Sequence, residues 1–192
     1  MWFHKKLTIK LNSDDFQFPI EVLNQTDITE LEIIGGNITY FPEDISVLVN
    51  LKHLSLISTK ISSIPRELFE LPNLTYLNLK NNRLSKLPLL TQKTKLTTLI
   101  IGRNYLTSIE HALPFLPDLI TLDIGHNLID SIPENFQFLQ NLQRLNLEHN
   151  RIKYIPSFLK SMNSINHLSL NQNKFSAEEK INIERDFKIY LD

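Results

Sequence analysis

The chain has 192 residues, a formal net charge of −1 and no cysteine. That length supports one sizeable core. The missing thiols exclude a disulfide framework or a thiolate metal site. Basic and acidic residues are scattered along the chain, which argues against a nucleic-acid or anionic-membrane partner, either of which calls for a clustered basic face. No apolar run approaches the length of a membrane span.

At the amino end, Lys5, Lys6 and Lys10 interrupt MWFHKKLTIKL and leave no signal-peptide core. The compartment therefore stays open between cytoplasmic and secreted. Residues 1–27 read as a degenerate repeat and cap. Leu7 and Ile9 lie on a strand, Pro19 keeps the later spacing, and Trp2, Phe3, Leu11, Phe16 and Phe18 cover the end.

From residue 28 onward the chain repeats itself about every 23 residues. Coils begin at 28, 51, 74, 96, 119, 142 and 165, and the clearest read LTYLNLKNNRL, LITLDIGHNLI and LQRLNLEHNRI. Apolar and polar residues alternate in L-x-L, as in a half-buried strand. Asn82, Asn104, Asn127, Asn150 and Asn173 form a column at the following turn, with Gly36 and Thr59 in their place in the first two coils. A buried amide needs partners, and the backbone of neighbouring turns can supply them, so the column predicts a ladder. Gly cannot contribute a rung, which predicts a looser amino end.

A second column places Pro42, Pro65, Pro88, Pro133 and Pro156 fourteen residues after each coil start. Proline with apolar residues at spacing three predicts short 3₁₀ or α turns on the back of each coil. The third coil, LPLLTQKTK, is one residue short, and the fourth carries Glu110 instead of proline. At the carboxyl end, Ser176-Ala-Glu-Glu179 is a capping box that predicts a helix over about 177–185. Phe187, Ile189 and Leu191 then alternate as a closing strand would. The whole reads as a single domain over 1–192, with seven coils over 28–175 and a cap of helix and strand over 176–192.

The pattern L-x-x-L-x-L-x-x-N-x-L resembles the leucine-rich repeat family, in its class of 22–24 residues per repeat. The proline column and the ending NKFSAEEKINIERDFKIYLD are most similar to small bacterial members, particularly those of spirochaetes such as Leptospira. The resemblance implies an α/β solenoid: a right-handed superhelix with a parallel sheet on its concave side, short turns on its convex side, and caps at both ends. It also implies a partner protein bound through that sheet; in pathogens some members act at the host interface.

Counting outward positions along each strand selects the candidate surface. Ile34, Ile57, Tyr76 and Ile100 place large apolar groups where water is expected, which suits contact anchors. β-branched residues also simply favour strands. The second half carries Arg103, Asp123, His126, Arg144, Glu148 and His149. His126 and His149 share a column in adjacent coils, so their backbones lie about 5 Å apart. Two imidazoles near carboxylates raise zinc as an alternative, yet no zinc-spacing motif is present and solvated histidines are the plainer reading. Protonation near pH 6 offers a further role. Arg103 and Arg144 flank Asp123 and predict cross-strand charge pairing. Sequons at Asn24, Asn37 and Asn73 reflect the composition of such repeats.

Gly-rich phosphate loops, G-x-S-x-G and H-E-x-x-H are all absent, and nothing builds an oxyanion hole. The reading is therefore a non-enzymatic protein-binding module, a monomer or weak homodimer, with no cofactor and no resident metal. Self-assembly is the alternative from another class, and light scattering over a concentration series separates the two.

Overall fold

Each L-x-L segment forms a strand because its two leucines have an apolar side to enter. The computed structural model describes residues 5–38 and 41–191. Within it the strands are β1 (Lys6–Leu11), β2 (Glu30–Gly35), β3 (His53–Ile57), β4 (Tyr76–Asn78), β5 (Thr98–Ile100), β6 (Thr121–Asp123), β7 (Arg144–Asn146) and β8 (His167–Ser169). They make one parallel sheet in chain order. Each strand pairs with its predecessor at equivalent repeat positions, as in Leu54↔Leu77 and Leu99↔Leu122. The chain is thus a leucine-rich α/β solenoid.

Leucines repeated at one coil length stack into a continuous spine. Leu54, Leu77, Leu99 and Leu122 are completely shielded from solvent. Each such side chain contributes roughly 1.5–3 kcal/mol relative to exposure. The asparagine column forms the expected ladder. Asn104 Nδ2 donates to the carbonyls of Leu79 and Ile101, both at 3.0 Å, and its Oδ1 accepts from the Leu84 N–H. Asn127 and Asn150 repeat this set one and two coils on. In the second coil Thr59 Oγ1 donates to Asn82 Oδ1 at 2.9 Å, so threonine joins the ladder in part.

Behind the sheet the turns are short 3₁₀ helices, as at Glu43–Val47, Glu134–Phe138 and Ser157–Ser161. Pro42, Pro133 and Pro156 sit just before them in extended conformation, one residue earlier than proline's usual first helical position. The short third coil has no such turn behind β4. The fourth coil, without the column proline, builds its turn at Leu113–Phe115 around Pro114.

The ends differ from expectation in particular residues. Helix α1 runs Ala177–Phe187, two residues beyond 185, and Ser176 accepts from the Glu179 N–H at 3.1 Å. Glu179 does not close a local capping box; its Oε1 accepts from the Ile155 N–H at 2.8 Å, joining the helix to the coil before it. No closing strand follows among the described residues. Phe187 is still helical, Lys188 takes φ 57° and reverses the chain, and Ile189 and Leu191 pack on the core without pairing. Asp186 is held by Lys160 and Arg185, and the Arg185 hydrogen bond leads in drawing its carboxyl down to about 2. At the other end Phe18 is buried against Phe41, whereas Phe16 is half exposed. Trp2 and Phe3 lie outside the described residues.

Candidate functional site: the concave sheet

Strand pairing places the outward side chains in columns. One column runs Glu30, His53, Tyr76, Thr98, Thr121, Arg144, His167; the next runs Glu32, Ser55, Asn78, Ile100, Asp123, Asn146, Ser169. Ile34 pairs directly with Ile57 two positions further along. The four apolar candidates therefore separate into two groups. Ile34 and Ile57 form one near the turn. Tyr76 and Ile100 form the other as diagonal neighbours on β4 and β5, roughly 7–8 Å apart. All four are half-buried. His53 leans on the Tyr76 ring at 5.5 Å and bonds Glu30 at 2.8 Å, so the acidic amino end of the face is internally matched.

β1 and β2 have six residues, β3 has five and β4 to β8 have three. Asn78, Asp123 and Asn146 account for part of this shortening. Each side chain accepts from the backbone N–H two residues on, at 3.0 Å, which bends the chain into a turn there, while bonds between coils continue past it, as from the Leu79 N–H to the Ile100 carbonyl at 2.7 Å. Asp123 is thus committed to the turn at Gly125. It makes no ion pair with Arg103 or Arg144, contrary to the expected charge pairing. The depression at this end of the face holds about 280 Å³ and is lined by Ile100, Thr121, Asp123, Arg144, Asn146 and His167, among others. Arg144 is exposed there and pairs with no described carboxylate.

Arg103, His126 and His149 occupy a position that the repeat pattern assigns to ordinary outward strand. In fact Ser58, Asn81, Arg103, His126, His149 and Gln172 all have φ between 52° and 59°. The same left-handed turn recurs in successive coils, and it costs a non-glycine residue roughly 1 kcal/mol or more. Equivalent backbones aim equivalent side chains alike. The His126 and His149 rings consequently stack with centroids 4.0 Å apart and planes 12° apart. Nitrogen lone pairs lie in the ring planes, so parallel rings do not converge on one ion. Among the described residues no group of three His, Cys, Asp or Glu is placed to hold a metal.

Glu148 Oε1 lies 3.8 Å from His126 Nε2. The His126 pKa is nonetheless lowered from 6.5, chiefly by burial, then by His149 and Arg103, against the opposing pull of Glu148 and Asp123. A histidine whose folded pKa lies below its unfolded value favours unfolding when protonated. Stability should hold above pH 6.5 and fall as the pH drops through the lowered folded value. His149→Gln should make that fall shallower, because one of the repelling charges is gone. Melting temperatures from pH 8 to 5 measure this; parallel curves for both proteins would refute it.

Over residues 27–88 and 94–152 the sequence matches the model of the leucine rich repeat family. The chain belongs to the leucine-rich repeat family. Its fold is similar to that of a leucine-rich repeat protein from Leptospira interrogans, with 23% identity and TM-score 0.66 over 96% of this chain and 59% of that one. A plant peptide hormone receptor, RGFR1, solved in complex with RGF2, shares 25% identity and a TM-score of 0.73 over 89% of this chain and 28% of that one. An internalin of Listeria monocytogenes gives 22% and 0.56 over 88% and 56%. This leucine-rich repeat chain thus spans well under two thirds of each neighbour's length. No curated protein matches its sequence. Among the described residues no helix is long and apolar enough to cross a membrane.

Proposed function

We propose that this leucine-rich repeat protein is a non-enzymatic binding module whose concave sheet receives a partner protein. The observation that carries the reading is the juxtaposition at its centre. Tyr76 and Ile100 are diagonal neighbours, and beyond Ile100 the depression leads to an exposed Arg144 with no ion-pair partner among the described residues. Apolar anchors beside an unmatched guanidinium are what interface hot spots are built from. The plant receptor, whose structure includes RGF2, gives a precedent for a repeat solenoid as a receptor surface. The amino end adds less, because Glu30 and Glu32 already face His53 and Lys6.

Capture of partners by wild-type protein, compared with a Tyr76→Ala/Ile100→Ala variant, identifies the ligand; titration calorimetry then tests each anchor. Either single substitution should weaken binding by more than about 1 kcal/mol while leaving the melting temperature unchanged. A partner that binds both variants with wild-type affinity would remove the concave centre as the site.

A further inference from the structure

Charges that are scattered in sequence are ordered in the fold. Beyond the asparagine turn a hydrogen-bond ladder continues down one flank. The N–H groups of Arg83, Tyr105, Leu128, Arg151 and Lys174 bond carbonyls of the preceding coil at 2.7–2.9 Å. Lys60 precedes Arg83 in the same register. The resulting column reads Lys60, Arg83, Tyr105, Leu128, Arg151, Lys174: a basic pair, an apolar centre, a basic pair.

Its cations are exposed and make no ion pair with any described residue, and the same holds for Lys86, three residues after Arg83, and Lys153, two residues after Arg151. By contrast, on the convex side Arg66 pairs with Glu67, and Lys160 pairs with Asp186. Acidic residues gather on that side, where Glu43, Asp44, Glu67 and Glu134 open the 3₁₀ turns. The Tyr105 side chain is 54% exposed at the middle of the column.

We propose that this flank is a second docking surface, separate from the concave sheet, for an acidic protein segment with an apolar centre. Neighbouring coils lie about 4.8 Å apart, so Arg83 and Arg151 are separated by roughly 14 Å. An extended chain rising about 3.4 Å per residue covers that in about four residues. Carboxylates at the ends of such a segment meet the two basic pairs while its middle covers Tyr105 and Leu128. A nucleic acid carries unbroken charge and would meet an interrupted line instead. Leu128 offers no stacking face for a base.

The test is fluorescence anisotropy with a labelled peptide of about eight residues, carrying Glu pairs at both ends and Ala-Leu-Phe-Ala between them. Binding is expected at low salt and should weaken near 0.15 M, where the Debye length is about 8 Å. Arg83→Glu/Arg151→Glu should lower affinity at least tenfold and Tyr105→Ala severalfold. Lys60→Glu/Lys174→Glu provides an independent reversal should the first variant fold poorly. Tyr76→Ala/Ile100→Ala should bind the peptide as wild type does, so failure of the concave site and failure of this one are distinguishable. The proposal is overturned by absence of binding at low salt, or by wild-type affinity in a folded charge-reversed variant. Tighter binding of an oligothymidine or of phosphatidylserine vesicles than of the peptide overturns it as well.

Discussion

Asn127→Leu should destabilise the protein by about 3–5 kcal/mol. The side chain is 5% exposed. Its Nδ2 donates to the Ile101 and Ile124 carbonyls at 3.1 and 3.0 Å, and its Oδ1 accepts from the Leu106 N–H at 3.0 Å. Leucine has similar bulk but leaves these backbone groups buried and unmatched, at roughly 1–3 kcal/mol each. Asn173, in the last coil, makes the same bonds but is only half-buried, so water can replace them. Asn173→Leu should therefore cost only about 1–2 kcal/mol. Urea unfolding followed by far-ultraviolet circular dichroism measures both. A lowered slope for Asn127→Leu would show that the two sides of the solenoid no longer melt together. Equal losses at the two positions would contradict the burial argument.

Gly35→Ala should cost about 2–3 kcal/mol, concentrated at the amino end. Gly35 has φ +82°, where a side chain is strained, and an added Cβ would lie 2.6 Å from the Leu11 carbonyl oxygen. That contact is with backbone, so relief requires β1 to move away from β2. Hydrogen exchange should show the amides of Leu7, Ile9 and Leu11 losing protection while those of β6 and β7 keep theirs. Gly102→Ala is the comparison. It carries no left-handed strain and meets the Asp123 carboxylate and the Gly125 carbonyl oxygen at 3.1 Å, so a loss of about 1 kcal/mol or less is expected there. Protection unchanged in β1 would show that the close approach of Leu11 is not what selects glycine.

The glycines also mark a limit of reading by columns. Gly36 lacks an amide for the ladder, which suggests a loose amino end. In the structure an added Cβ there would meet Leu11 Cδ1 at 2.9 Å, so glycine admits a close approach of the first coil. The spine, the ladder and the proline turns were legible because each depends on one residue type recurring at one spacing. The left-handed column was not: Arg103, His126 and His149 are poor markers of positive φ, and the hydrogen bonds of neighbouring coils impose it. The stacked imidazoles follow from that backbone, whereas a shared column predicts only that they are neighbours. Asp123 and Glu179 depart from the expected partners for a related reason. Spacing showed which groups were near, whereas their bonds go to the backbone of Gly125 and Ile155. The asparagines at the opposite edge carry no sequence signal of the bonds they make. Asn73, read as part of a sequon, donates to the Val49 carbonyl at 2.8 Å, and Asn50 and Asn141 do the same one coil back from themselves. The basic flank emerges only when charges are sorted by offset within the repeat.

Backbone bonds between coils run on past the short strands, as from the Arg103 N–H to the Gly125 carbonyl and from the His149 N–H to the Asn171 carbonyl, so short strands do not mark weak junctions. Under tension applied at the two termini, a spring built this way starts to peel at an end. The clasp from Glu179 to Ile155 and the grip of Lys160 on Asp186 stand where peeling would begin at the carboxyl end, so the final helix serves there as a latch.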